Sequence, residues 1–205
     1  MNSSKIMNTA SPSSSTNPPK VTIIHGWAGG PKLGRYFAKN LGESGFKVIK
    51  NPQEADLIIA HSTGCYFLAK DFKAKLIMCI NPPYWPGNSI VRRWAKMSQN
   101  EARLLIKNYG KKRFVLNWAW GIYYIFAKPA YTWSLLKNQS HLDFIEKLAD
   151  KKIILVRNTD DEFCSPEIKL VVRRYQNIKY TEIPGYHSNY YTNPQPYIDL
   201  LLKEL

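Results

Sequence analysis

Ser62 is the residue of this chain best placed to act as a nucleophile. An apolar run, Leu57-Ile58-Ile59-Ala60, passes through His61 into Ser62, and Gly64 follows two residues later. A strand, a sharp turn and a helix in that order lift a serine hydroxyl above the end of a sheet. Small residues must flank it because backbone and helix crowd the turn. The pattern here is A-x-S-x-G, with Ala60 in the first small position. Its weight comes from three other segments. Upstream, Val21-Thr22-Ile23-Ile24 reads as a short buried strand that runs into His25-Gly26-Trp27-Ala28-Gly29-Gly30. Glycines there let backbone N–H groups approach a ligand closely. Downstream, Lys152 to Val156 reads as a strand followed by Arg157-Asn158-Thr159-Asp160-Asp161-Glu162-Phe163-Cys164-Ser165-Pro166, and Tyr180 to Ile183 reads as a last strand entering Pro184-Gly185-Tyr186-His187.

With these residues in this order the sequence resembles the α/β-hydrolase superfamily, from about Val21 to the C-terminus. More narrowly, it is similar to the small single-domain serine hydrolases related to retinoblastoma-binding protein nine, through its short length and its Asn-Thr-Asp-Asp-Glu-Phe segment with a helix-starting Pro. The resemblance implies a Ser…Asp…His order, unlike that of chymotrypsin-like or subtilisin-like proteases. It makes Ser62 the nucleophile, His187 the base and Asp161 the acid, with Asp160 as the rival for the acid position. It also implies an oxyanion hole from the backbone N–H groups of Trp27 and Thr63, with His25 and Gly26 in the substrate-binding loop. Such donors stabilise developing charge in a dry site, usually the largest catalytic term. Departures from the family pattern are Ala60 and Asn158 in glycine positions, and Tyr186 between Gly185 and His187.

The elements that must position these groups alternate strand and helix. After strand 21–24 comes a helix with Leu33, Tyr36, Phe37 and Leu41 at helical spacing. Strand 46–49, the elbow strand 57–61, an elbow helix over about 64–71 and strand 75–80 follow. Past an insertion lie strand 152–156, a helix opening at Ser165-Pro166, strand 179–183 and a closing helix from Asn193-Pro194 that carries Tyr197, Ile198, Leu201 and Leu202. Near-continuous apolar strands between helices predict an α/β fold: a mostly parallel sheet of about six strands with helices on both faces and a helical cap insertion. Ligands in such sheets bind at the carboxyl ends of the strands, where all the candidate residues fall.

The chain has 205 residues, 44% of them hydrophobic, which suits one domain able to bury a core. Residues 1–19 are rich in Ser, Thr, Asn and Pro and read as a disordered tail with no secretory signal. The single domain is then 20–205, with the insertion at about 82–148. Cys65, Cys79 and Cys164 sit in or near apolar runs and read as reduced core thiols, so a cytoplasmic protein is expected. The four histidines and three cysteines show no metal-ligand spacing. The glycine-rich loop lacks G-x-G-x-x-G, Asn51 rather than an acid ends the next strand, and no Gly-Lys-Ser/Thr occurs. No cofactor is expected.

The insertion carries much of the chain's formal charge of +14: Arg92, Arg93, Lys96, Arg103, Lys107, Lys111, Lys112 and Arg113 precede an aromatic run from Asn117 to Phe126. Three readings stay open for it: a cap that only packs, a cap lining an acyl pocket with Trp118 and Trp120 against the substrate, and a face for an anionic membrane surface or polyanion. The run 114–127 is too short for a bilayer span of about twenty residues, although Trp and Tyr beside basic residues suit an interface. Basic excess favours phosphate contact in general, but no nucleic-acid module is recognisable, so nucleic acid is disfavoured as a partner. The expected function is a serine hydrolase acting on a small-molecule carboxylic ester or related acyl bond. The alternative is a non-catalytic binding module on the same scaffold that uses the basic aromatic cap.

Overall fold

A computed structural model describes residues 17–26, 34–85 and 142–205, together with individual positions between 99 and 133. Six strands form one sheet: β1 (Lys20–Ile24), β2 (Lys47–Val48), β3 (Leu57–His61), β4 (Leu76–Ile80), β5 (Lys152–Asn158) and β6 (Ile178–Ile183). Their order is β2-β1-β3-β4-β5-β6, and all five pairings are parallel. Crossovers put helices on both faces. Labelled in chain order, these are α1 (Gly34–Glu43), α2 (Asp143–Lys147), α3 (Ile168–Val172) and α4 (Gln195–Glu204).

The central strands carry near-continuous apolar runs because successive side chains face opposite sides of a sheet covered twice. Leu57 and Ile59 of β3, Leu76, Met78 and Ile80 of β4, and Ile154 and Val156 of β5 join one core with Phe37, Leu41, Tyr197, Ile198 and Leu201. Their neighbours Ile58, Ala60, Ile77, Cys79, Ile153 and Leu155 join a second core with Phe144, Ile145, Leu148, Ile168 and Val172. Val21 and Ile154 are fully buried, and all the others are buried.

Several expected boundaries move. The helical face of α1 is Phe37 and Leu41; Tyr36, about 100° round the helix from Phe37, is 49% exposed, and Leu33 lies outside the described residues. In α4, Leu202 is half exposed for the same reason, one step from buried Leu201. The segment after Ser62 is a 3-10 turn, Ser62–Phe67, not a helix to 71; Leu68 and Phe72 reach the core from irregular backbone instead. Strand β2 is only two residues long, while β5 runs on to Asn158. Helix α3 starts at Ile168, with the Ser165 hydroxyl accepting from the Glu167 N–H at 3.4 Å. Of the expected tail, residues 1–16 lie outside the described residues. Pro19 already belongs to the sheet edge, its carbonyl accepting from Lys47 N–H at 2.9 Å.

One close approach constrains the site end of the sheet. A Cβ on Gly64 would sit 2.4 Å from the Ile24 carbonyl oxygen, so the turn after β3 packs backbone to backbone on the end of β1. Gly64→Ala is therefore expected to lower stability by about 1–3 kcal/mol. Gly42→Ala, where a Cβ meets nothing within 4 Å, should raise it by up to about 1 kcal/mol through helix propensity. Urea unfolding of both variants checks this; equal midpoints would show that the turn can yield.

Candidate active site

Because every strand is parallel, the turns after β1, β3, β5 and β6 emerge at one edge. His25-Gly26, Ser62, Asp161 and His187 come from these four turns. The backbone of Ser62 has φ 54°, in the left-handed region, which a non-glycine residue adopts only when its surroundings hold it there. The preceding His61 is extended and fully within β3. The chain therefore reverses at Ser62 itself, leaving the serine half-buried between buried His61 and buried Thr63. A Cβ on Gly26 would fall 2.8 Å from Ser62 Cβ, 2.9 Å from the His61 carbonyl oxygen and 3.1 Å from Thr63 N. Glycine at 26 thus lets the loop after β1 lie directly on the serine turn, bringing Gly26 and Thr63 N together. Trp27, expected to supply the second N–H there, lies outside the described residues, as do Trp118 and Trp120.

On the other side of the edge, His187 Nδ1 is 2.9 Å from Asp161 Oδ2. An ionised carboxylate only accepts, so the Nδ1 position carries the proton in this pair. The other carboxylate oxygen, Oδ1, accepts from Phe163 N–H at 2.7 Å. Both side chains are buried. Asp160 is exposed; its N–H donates to the Gly185 carbonyl at 3.0 Å and so ties the two loops together by backbone. Arg157 braces the carboxylate loop from below: Nε donates to the Cys164 carbonyl at 2.7 Å and Nη2 to that of Thr159 at 3.0 Å, while Nη1 pairs with Glu182 at 3.2 Å.

The His187 loop is held by polar groups that the sequence pattern did not single out. Its carbonyl oxygen accepts from Asn81 Nδ2 at 2.7 Å and from His61 Nε2 at 3.1 Å. Asn81, fully buried just past β4 and itself left-handed at φ 50°, accepts through Oδ1 from Asn158 N–H at 2.7 Å. Asn158 donates through Nδ2 to the Tyr186 carbonyl and accepts through Oδ1 from the Tyr197 hydroxyl at 2.7 Å. Burial pushes that hydroxyl's pKa up to about 12, so it stays a donor. Asn158 is thus no mere stand-in for a glycine: its side chain links β5, the His187 loop and α4. The legible signal was an asparagine at the end of an apolar run, directly after β4 at 81 and two residues past Val156 at 158.

Two further histidines border the site. His61 packs against His187 and Tyr190, with ring centroids 4.7 and 4.5 Å away. Burial, and next the charge of His187, hold its pKa well below 6.5, so it is neutral. His25 has its Nδ1 within 3.4 Å of the Tyr190 hydroxyl and 3.3 Å of the Tyr191 hydroxyl. A Cβ on Gly34 would lie 2.3 Å from its Cε1. The ring is packed into the loop's support, and burial lowers its pKa too. Phe163, its centroid 5.7 Å from that of His187, is in turn covered edge-on by Trp85 at 5.2 Å. Among the described residues no group of three or more His, Cys, Asp or Glu could hold a metal ion.

This architecture recurs in solved structures. The chain has the α/β-hydrolase fold. A carboxylesterase of the ammonia-oxidising thaumarchaeon Nitrososphaera gargenis aligns over 95% of this chain and 96% of its own, at TM-score 0.59 and 15% identity. The enol-lactonase of Burkholderia xenovorans aligns over 91% of each chain at TM-score 0.60 and 12% identity. A bacterial membrane phospholipase A aligns over 93% of this chain and 79% of its own, at TM-score 0.61 and 14% identity. The sequence itself matches no protein-family model and no curated protein.

His61 gives the site a pH signature. Burial holds its folded pKa well below the ordinary imidazole value of 6.5. Above pH 6.5 neither the folded nor the unfolded chain protonates it and its contribution is complete; as pH falls below 6.5 the unfolded chain gains a proton that the folded one refuses, and stability drops. His25 acts with the same sign. The wild type should therefore lose more stability on acidification than His61→Gln, whose amide can still donate to the His187 carbonyl. Urea midpoints across that range measure the difference; parallel curves would count against it.

Proposed function

We propose that this chain is a serine hydrolase that cleaves a carboxylic ester or related acyl bond of a small-molecule substrate. The observation that carries the reading is the buried Asp161–His187 pair, 2.9 Å apart, at the same sheet edge as a serine in a left-handed turn. In this reading His187 Nε2 takes the Ser62 proton as the hydroxyl oxygen bonds to the acyl carbon. The tetrahedral oxyanion is held by the N–H groups of Thr63 and Trp27. On collapse the bond to the leaving group breaks, and the imidazolium returns its proton to that group. Water, deprotonated by His187, then attacks the acyl-enzyme and regenerates Ser62. Asp161 stabilises the imidazolium and fixes its tautomer throughout. His25 and Gly26 shape the floor beside the acyl carbon, and Trp118 and Trp120 of the insertion face the acyl group. No cofactor takes part. The names of the fold's neighbours, a carboxylesterase and an enol-lactonase among them, support an acyl-bond chemistry. Three free, buried thiols support a reducing, cytoplasmic setting.

Ser62→Ala should abolish labelling by a fluorophosphonate probe and cut ester hydrolysis by roughly four or more orders of magnitude. Turnover like that of the wild type in this variant would end the proposal. The acid is tested separately. Asp161→Asn should lower kcat by about ten-thousand-fold, as such a change does in a known triad by favouring the wrong tautomer, whereas Asp160→Asn, whose side chain is exposed, should stay within a few-fold of wild type. The reverse ranking would move the acid to Asp160.

A further inference from the structure

Two non-glycine positions among the described residues have a left-handed backbone, Ser62 at φ 54° and Asn81 at φ 50°. Each is the first residue past its strand, β3 and β4 respectively. His61 pairs with Ile80 in the parallel register of those strands, so the two left-handed residues leave the sheet side by side. Such backbone is unfavourable outside glycine and persists where the surroundings over-determine it, most often at a working site. At Ser62 the reason is the turn that raises the hydroxyl. Asn81 carries no reacting group, and its conformation needs a separate reason.

That reason lies in the sheet ladder. Asn81 N–H donates to the Val156 carbonyl at 2.8 Å, as a continuing parallel strand would. The next bond of a parallel ladder would run from Asn158 N–H to the main-chain carbonyl of Asn81. That N–H goes instead to Asn81 Oδ1, at 2.7 Å. The side-chain oxygen stands in for the main-chain one. The other end of the same planar amide, Nδ2, donates to the His187 carbonyl at 2.7 Å. Because the amide is rigid, an oxygen held by β5 fixes where its nitrogen points. The residue before His187 is tied to the same strand: Asn158 Nδ2 donates to the Tyr186 carbonyl, and Asn158 Oδ1 accepts from the Tyr197 hydroxyl at 2.7 Å. Asn81 and Asn158 are fully buried, a setting in which such bonds are strong. From this we infer that Asn81 is a positioning residue. Its amide carries the register of β4 and β5 across to the His187 backbone and so sets the imidazole against Asp161, 2.9 Å away. For its effect on rate the inference rests on the hydrolase reading; for its effect on the Asp161–His187 pair it does not.

Asn81→Gly separates this role from folding. Glycine accepts the left-handed backbone and leaves a main-chain carbonyl to take the Asn158 N–H, but it removes the donor to His187. In the full chain it should lower kcat on a soluble ester by about ten- to hundredfold, with KM within about twofold of wild type. The proton between His187 Nδ1 and Asp161 gives a far-downfield 1H NMR resonance, assigned by its loss in Asp161→Ala. Asn81→Gly should shift or broaden it. Tyr197→Phe, which deletes the hydroxyl bound to Asn158, should move both readouts the same way by a smaller factor. Leu148→Ala, buried in the other core, is the control: it should lower the urea midpoint and leave kcat and the resonance unchanged. A folded Asn81→Gly protein with wild-type kcat and resonance overturns the proposal, and so does a Leu148→Ala protein that loses as much of both. If Asn81→Gly does not fold, Tyr197→Phe decides, and an unmoved resonance there overturns the proposal. A wild type without turnover or fluorophosphonate labelling would end the hydrolase reading alone, and the resonance of the variants would still decide the positioning role.

Discussion

The left-handed turn at Ser62 is the constraint on which the rest of this sheet edge depends. A serine pays a conformational penalty there that glycine would escape, so the surroundings have to over-determine the turn. They do so by proximity of backbone: the loop after β1 lies on it through Gly26, and Gly64 presses against the Ile24 carbonyl. Parallel pairing of β1 and β3, with Ile24 opposite Ala60, brings the two loops out side by side and makes such contact possible. A side chain at either glycine would hold the loops apart and relax the turn that raises Ser62.

The second half of the edge is fixed by hydrogen bonds instead. The loop carrying His187 anchors Tyr190 and Tyr191 in the core, and its carbonyls at Tyr186 and His187 are each taken by a buried amide, from Asn158 and Asn81. A buried carbonyl left unpaired would be costly, so these amides both satisfy the backbone and fix where the imidazole points. Neutral His61 adds a third donor, and its ring is the link between the two halves, being the residue immediately before Ser62 and the one stacked on His187. Serine turn and imidazole loop thus share a wall, and a change at His61 is felt on both sides.

The fold was legible because burial on two faces makes the central strands near-continuous apolar runs, and stretches such as Leu57–Ala60 and Leu76–Ile80 declare themselves. The turn at Ser62 was legible for a related reason: an apolar run that ends at a serine followed two residues later by glycine marks a sharp reversal, and the backbone of Ser62 is left-handed there. Of the two adjacent acids that fit the spacing, the one whose carboxylate meets His187 is Asp161, while Asp160 is tied to Gly185 by its N–H. What sequence hid were the long-range partners. Asn81 and Asn158 are separated by 77 positions and meet only because β4 and β5 are neighbours. Exposure of Tyr36 and Leu202 was misread because a helix rotates about 100° per residue and one position is enough to leave the core.

The insertion's attachment follows from the same topology. In an all-parallel sheet the carboxyl end of β4 lies beside that of β3, and the chain just past it is fixed at Tyr84. Its N–H donates to the Phe163 carbonyl, and its carbonyl accepts from the Ser165 N–H, both at 2.8 Å. Phe163 is also the residue whose N–H holds Asp161 Oδ1, and Trp85 covers its ring. The root of the basic, aromatic segment is therefore clamped to the loop that carries the carboxylate. The chain that leaves β4 is thereby tied, at Tyr84 and Trp85, to the residue whose N–H holds the Asp161 carboxylate.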